Sequence, residues 1–370
     1  MSNSLNSSHR IDSALTPYGW DDGFAADFTP HGEQGLLPGR VVRVDRGLAD
    51  VVTPFGAVRA DTSLVTPRDP VKTICTGDWA AVDPEGAPPL VRALLPRRTA
   101  FLRSGSSKQS LGQVLAANVD HALVAVSLAA ELDLGRIERF LALAWESGAQ
   151  PLVVLTKADL VPDATGLSYL VSDVEAAAPG ARVLAVSAAT GEGVDDLASE
   201  VRGGTSVLLG QSGAGKSTLA NALFGADVME VRAIRDADGK GRHTTTTRNL
   251  LALPGGGVLI DTPGLRGVGL WDAEAGVGQV FAEIEELADD CRFQDCGHLA
   301  EPGCAVLAAI EEGSLAERRL ESYRKLLREN QHIAARTDAR LRAELRREWK
   351  RRSAQGRFMG EAKRGRSARG

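Results

Sequence analysis

At 370 residues and 43% hydrophobic content, the chain is too long for one core and holds apolar material for two or three domains. Its longest apolar run, Ala122 to Ala130, contains a serine and is strand-sized, which excludes a membrane-spanning helix. The net charge of -5 conceals an asymmetry, because Arg and Lys dominate from Arg342 to Arg369, and an acidic body with a basic tail points to a polyanionic partner.

The start, Met1 to Ser8, lacks the charged and apolar regions of a signal peptide, so cytoplasmic residence is the expectation. Residues 1 to about 35 are rich in Ser, Asp, Gly and Pro without sustained periodicity and read as a leader that is flexible or loosely docked. Between Gly39 and Arg98, short β-like pieces alternate with turn residues: Arg40 to Val44, Ala49 to Val52, Ala57 to Ala60, Asp78 to Val82 and Leu90 to Leu94. They fit a small barrel of OB type, and an SH3-like barrel reads the same way.

After the polar linker Ser104 to Ser110, strands alternate with helices. His121 to Val126, Pro151 to Leu155, Val183 to Val186 and Ser206 to Leu209 are predicted strands; Leu134 to Trp145, Val194 to Val201 and Ser217 to Leu223 are predicted helices. This alternation implies a parallel sheet covered by helices on both faces. Beyond about Asp272 the pattern turns helical, passes through a Cys/His cluster and ends in the charged tail.

Gly210-Gln211-Ser212-Gly213-Ala214-Gly215-Lys216-Ser217 satisfies GxxxxGKS between a predicted strand and a predicted helix, the context a phosphate loop requires. Its glycines let backbone N–H groups converge on phosphates, Lys216 neutralises charge between the β and γ groups, Ser217 is placed to ligate Mg²⁺, and Thr218 follows on the helix. Thr156-Lys157-Ala158-Asp159 follows a strand directly. A carboxylate at Asp159 accepts two hydrogen bonds from guanine, whereas adenine offers no matching donors, so GTP is expected over ATP. Ser187-Ala188, after its own strand, reads as a loop contacting the base from the other side.

Asp261-Thr262-Pro263-Gly264 ends the strand Val258 to Ile260; there Asp261 is placed to hold Mg²⁺ through water and the Gly264 N–H to meet the γ-phosphate. Gly241 to Arg248 carries a threonine run, in which Thr246 is the expected Mg²⁺ ligand; a solvated β-edge reads the same way. Leu265 stands where Ras-like GTPases carry the glutamine that orients the attacking water. His243 is then the nearest group able to position or deprotonate water, and its other reading is a surface histidine without a catalytic role.

Cys291, Cys296, His298 and Cys304 crowd three thiols and an imidazole into one short segment, matching a closed structural Zn²⁺ site, one ion per chain. Cys75, outside this cluster, reads as a small apolar core residue.

The motif order is rotated, with the TKxD motif preceding the phosphate loop. Together with Ala116 to Asp120, the GRHTTT segment, the DTPG motif with its apolar follower, Gly269-Leu270-Trp271 and the CxxxxCxHxxxxxC cluster, this order resembles the RsgA (YjeQ) family of circularly permuted GTPases. The resemblance implies a multidomain α/β protein. Its expected parts are an OB domain over 36–100, a permuted GTPase domain over 111–272, a zinc domain over 273–340 and a basic tail over 341–370. It also implies a monomer that binds the small ribosomal subunit and its rRNA, assists late subunit maturation, and hydrolyses GTP to GDP faster on the subunit. The chain departs from the family pattern at Thr156, where asparagine is commoner, and in its longer leader. A second reading makes the chain a constitutive RNA-binding module in which GTP is a structural ligand.

Overall fold

The computed structural model describes residues 13–67, 69–103, 113–228, 248–261 and 273–337. His243, Thr246, Gly264, Leu265, the linker Ser104 to Ser110 and the basic tail lie outside them.

Strands β1 (Leu37–Asp45), β2 (Leu48–Thr53), β3 (Gly56–Asp61), β4 (Trp79–Asp83) and β5 (Leu90–Leu94) close into a barrel in the order β1-β2-β3-β5-β4. The parallel closure of β3 against β5 at Asp61 and Leu90 is the OB arrangement and decides against an SH3-like barrel. Alternation along β2 turns Ala49, Val51 and Thr53 inward, and Val41, Ala60, Val82 and Val91 fill the interior around them. Arg46 and Gly47, with φ of 39° and 85°, form the tight turn that fixes the β1–β2 register.

The expectation of a flexible leader fails over residues 13–35. Helix α1 (Asp22–Gly32) is capped by Asp21, whose side chain accepts from the Phe24 N–H at 3.0 Å. Phe24 and Phe28 share one face of α1 and, with Trp20 just before the cap and Leu15, are buried against Trp79, Ala81 and Leu95 of the barrel. The Trp20 ring stands edge-on to Trp79 at 4.8 Å, and the Arg98 guanidinium lies 3.6 Å over Phe24 while donating two bonds of 2.6 Å to Asp21. Three large aromatics on a polar background outweigh the composition that suggested disorder.

The expected interdomain linker lies between two strands, β6 (Ala100–Arg103) and β7 (Gln113–Ala117), which pair antiparallel. The barrel is fastened to the next domain by Arg40, which is almost wholly buried and donates to the Asn118 carbonyl at 3.2 Å and the Thr205 hydroxyl at 2.9 Å. Burial draws its guanidinium down to about 10, so it stays charged at neutral pH.

The second domain is a sheet in the order β10-β9-β8-β11-β13-β12, built from β8 (His121–Ser127), β9 (Gln150–Thr156), β10 (Arg182–Val186), β11 (Thr205–Leu209), β12 (Asn249–Ala252) and β13 (Val258–Asp261). All neighbours are parallel except β12 and β13. Helices α2 (Leu134–Glu146) and α3 (Ala164–Ala177) pack one face through Ile137, Leu141 and Val174. Helices α4 (Val194–Glu200) and α5 (Lys216–Phe224) pack the other through Leu197, Leu219 and Leu223.

The C-terminal helices α6 (Glu274–Val280), α7 (Ala282–Asp289), α8 (Ala305–Glu311) and α9 (Glu317–Thr337) continue the α2 face of this core. Gly276 makes the closest approach, because a Cβ there would stand 2.1 Å from the Ala142 carbonyl oxygen of α2. Above it, the fully buried Glu138 of α2 accepts from Arg318 and Arg319 of α9, each at 2.8 Å. Arg319 also donates to Glu283 at 2.7 Å and to the Val280 carbonyl at 2.7 Å, and stacks on Phe281 at 4.4 Å.

Replacing one partner of a buried pair strands the other. Glu138→Ala is expected to cost about 3–5 kcal/mol in denaturant unfolding, whereas Arg59→Ala, which loses a half-exposed pair with Asp50, costs about 0–1 kcal/mol.

Candidate active site and metal centre

The C-terminal ends of β9, β10, β11 and β13 fall along one edge of the sheet, and each carries one of the motifs read from the sequence. The phosphate loop turns out of β11 at Gly210, whose φ of 133° and position beneath the Ala125 carbonyl, 2.4 Å from a would-be Cβ, admit only glycine. The loop closes at Lys216, the first residue of α5, so the unpaired N–H groups of that helix start point into the loop. The Lys216 ammonium donates to the Gly210 carbonyl at 2.8 Å and to that of Gln211, which lays the side chain across the loop. Gln211, Ser212, Gly213 and Thr218 are exposed, and Ser217 is half-buried. A cleft of about 340 Å³ opens beside the loop, lined by Gln211, Ser212, Gly213 and Ala214 with Lys157 and Arg136.

Thr156, at the end of β9, is buried; its hydroxyl lies 2.8 Å from the Ala214 carbonyl and 3.3 Å from that of Val126. The first position of the TKxD motif therefore braces the phosphate loop from beneath. A Cβ on Gly215 would lie 3.3 Å from the same hydroxyl oxygen. Lys157 adopts φ of 60°, and the next turn exposes Asp159. The buried Ser187 hydroxyl donates to the Asp159 carboxylate at 2.6 Å, so the loops after β9 and β10 meet, with Ala188 beside them. Neither the Thr156 brace nor the Ser187 bond has a local signature, since their partners lie 58 and 28 residues away.

Asp261 ends β13, opposite Asn249 of β12 in the ladder. This register brings the described residues that follow the threonine run alongside Asp261. Thr246, His243 and Gly264 themselves are outside the described residues.

These parts match known proteins. A family model described as RsgA GTPase matches residues 94–271. Small ribosomal subunit biogenesis GTPase RsgA of Streptomyces avermitilis is 74% identical over 351 residues, covering 95% of either chain. The chain belongs to the RsgA family. The Opitutus terrae protein of the same name is 44% identical over 351 residues, covering 91% of this chain and 95% of its own. The crystal structure of YjeQ from Thermotoga maritima superposes with a TM-score of 0.59 at 28% identity, over 80% of this chain and 98% of that one. The structure of YloQ, a circularly permuted GTPase, matches at the same TM-score and 22% identity over 80% of this chain and 96% of that one, a likeness of fold. As an RsgA-family GTPase, the chain hydrolyses GTP.

Cys291, Cys296, His298 and Cys304 bring their ligand atoms within 4.8 Å of one another. Cys291 Sγ lies 3.8 Å from Cys304 Sγ and 3.6 Å from His298 Nδ1, and His298 Nδ1 lies 3.4 Å from Cys304 Sγ. The thiols are free, since a disulfide would require about 2.05 Å. Burial, and then the Arg324 guanidinium, hold the His298 imidazole below its ordinary value, which favours the neutral form a metal needs. Arg324 also donates to the His298 carbonyl. Glu301 accepts from the N–H groups of Ala300, Leu299 and Gly297, which draw its carboxyl down to about 2 and tie the loop on both sides of His298. The arrangement can hold a metal ion. Cys75 is buried against Val114 and Ala117, and burial pushes its thiol up, as expected of a core residue.

Thr156→Val removes the hydroxyl and leaves the Ala214 carbonyl without that partner, a loss of about 1–3 kcal/mol. Affinity for GDP and for GTP should fall together, about tenfold or more, with the preference over ATP unchanged in fluorescent-nucleotide competition; a changed base preference would place the hydroxyl at the base instead.

Proposed function

We propose that this GTPase binds the small ribosomal subunit and its rRNA, assists late subunit maturation, and uses GTP hydrolysis stimulated by the subunit to drive its own release. The observation that carries this reading is the rotated set of nucleotide motifs gathered at one sheet edge in a chain nearly three-quarters identical to a protein named for small-subunit biogenesis. Exposed Phe55 on the barrel and Phe293 beside the Cys/His cluster supply rings on which bases can stack, with Leu64 and Leu299 as exposed apolar surface. Cytoplasmic residence and a monomeric state belong to the same reading.

In the nucleotide site, phosphate loop N–H groups and Lys216 bind and orient the β- and γ-phosphates, while Asp159, aligned by Ser187, selects guanine. Mg²⁺ accompanying GTP would be held by the Ser217 and Thr246 hydroxyls and by Asp261 through water, and would supply neutralising charge to the phosphates. With Leu265 in place of glutamine, His243 is the group assigned to orient the attacking water. Its replacement by Ala should lower subunit-stimulated single-turnover hydrolysis by about 10²–10⁴-fold; undiminished stimulated turnover would exclude it. Comparing subunit affinity with a GTP analogue and with GDP separates this reading from constitutive binding, in which the two affinities are equal.

Zinc is the ion assigned to the Cys/His cluster. Tetrahedral bonds of about 2.3 Å to sulfur and 2.0 Å to nitrogen give edges near ~3.8 Å between sulfurs and ~3.5 Å between sulfur and nitrogen, values that the cluster's spacings support. All positions are filled by protein ligands, so the ion's contribution is folding. Metal analysis of protein purified in zinc-free buffer should return one zinc per chain, and Cys304→Ser should lose the ion and lower the thermal midpoint. Wild-type protein that carries no zinc, yet melts unchanged after chelation, would contradict the assignment.

A further inference from the structure

At the end of the sheet opposite the nucleotide edge, where β8 and β11 begin, a cleft of about 390 Å³ is walled by the leader, the barrel and the GTPase domain. Its lining brings together Arg40, Arg98, His121 and Arg202, against the carboxylates Asp21 and Asp120.

Both carboxylates are already engaged. Asp21 takes two bonds from Arg98 and caps α1, and Asp120 accepts from the Thr205 N–H at 2.7 Å. The donors are not used up to the same degree. Arg40 is 1% exposed and spends one terminal nitrogen on Asn118 and Thr205, but its buried Nε has no hydrogen-bond partner. Arg202 is exposed at the rim, and the His121 ring lies beneath Gly204, where a Cβ would come within 2.9 Å of Nε2. Among the described residues, neither His121 nor Arg202 forms a side-chain hydrogen bond or an ion pair. Arg40 lines the cleft, and among the described residues only its Nη2 has an acceptor, which is uncommon for a buried guanidinium. Oxyanions of phosphate type offer several strong acceptors to guanidinium forks and imidazole donors within one small volume.

We propose that this cleft is a binding site for a small phosphate-type oxyanion, held by Arg40, Arg202 and His121, which ties the leader, the barrel and the GTPase domain together. The site is separate from the phosphate loop, since Thr205 and Leu209 stand at opposite ends of β11. It gives the docked leader a role that the nucleotide site does not require, because α1 and its cap close one wall of the cleft.

The test uses the full chain saturated with GDP and Mg²⁺, so that the phosphate loop is filled before inorganic phosphate is added. Calorimetric titration should show one saturable site, and the thermal midpoint should rise with phosphate beyond its rise in chloride of equal ionic strength. Arg202→Ala and His121→Gln, neither of which alters a buried ion pair, should each weaken phosphate binding at least tenfold. Arg59→Ala, whose exposed pair with Asp50 on the barrel lies outside the cleft lining, should leave it unchanged. Absence of saturable binding up to about 10 mM phosphate, or equal binding by wild type and both cleft variants, would overturn the proposal.

Discussion

A parallel sheet delivers the C-terminal ends of its strands to a single edge, and everything else in this molecule is arranged around that constraint. Phosphate, base and metal groups must converge on one nucleotide, but nothing requires their strands to come in a particular order along the chain. Here β8, β9 and β10 precede β11, yet β11 still lies between β8 and β13. The rearrangement is feasible because α4 ends at Glu200 and β11 begins at Thr205, so a short turn joins the base-reading half to the phosphate loop. The spatial site is kept while the connectivity around it changes.

That change in connectivity moves the outlet. In this order the strand ending at Asp261 is the last of the sheet, and the chain beyond it leads into α6 and the Cys/His region. Helix α6 lies directly on α2 through Gly276, and α9 is pinned to α2 by Glu138 and Arg319. Movement transmitted past Asp261 would therefore arrive at a body held against the GTPase domain by close backbone contact and directional ion pairs. Such contacts favour discrete arrangements over gradual sliding. The segment between α7 and α8 has few apolar side chains of its own and is held together by the Cys/His cluster and the Glu301 and Arg324 bonds around it.

Legibility in the sequence followed the range of the interactions concerned. The five barrel strands were readable because turn residues and alternation are local; the closure of β3 on β5, which separates OB from SH3-like barrels, is a nonlocal pairing that propensity cannot express. The phosphate loop, TKxD, Ser187-Ala188 and the Cys/His set were readable because their chemistry fixes residue types at fixed spacing. The work of Thr156 was not, since its partner is a backbone carbonyl 58 residues away. The leader misled for a different reason. Its composition is that of a loop, but Phe24 and Phe28 share one helical face with Trp20 packed just before the cap, and it was this spacing rather than the average that determined the outcome. Helix α3 went unpredicted between two well-marked strands, where only Val174 and Ala177 are buried and the apolar stripe is correspondingly weak.

Both joints between the domains include buried charge, which at the C-terminal helices lies beside the apolar core they share with α2. Arg40 joins the barrel to the GTPase domain with its guanidinium 4.9 Å from Trp79, and Glu138 with Arg319 joins the GTPase domain to the C-terminal helices. As sources of stability these are poor choices, because desolvation offsets most of the Coulombic gain and an apolar replacement often performs as well. What they provide is direction. An apolar seam tolerates small rotations and slips, whereas a guanidinium between a carbonyl and a hydroxyl, or between two carboxylates, satisfies its donors in one geometry only. Arg40, Glu138 and Arg319 each stand at a joint and none in the nucleotide site, so what their directional bonds define is the geometry between the domains.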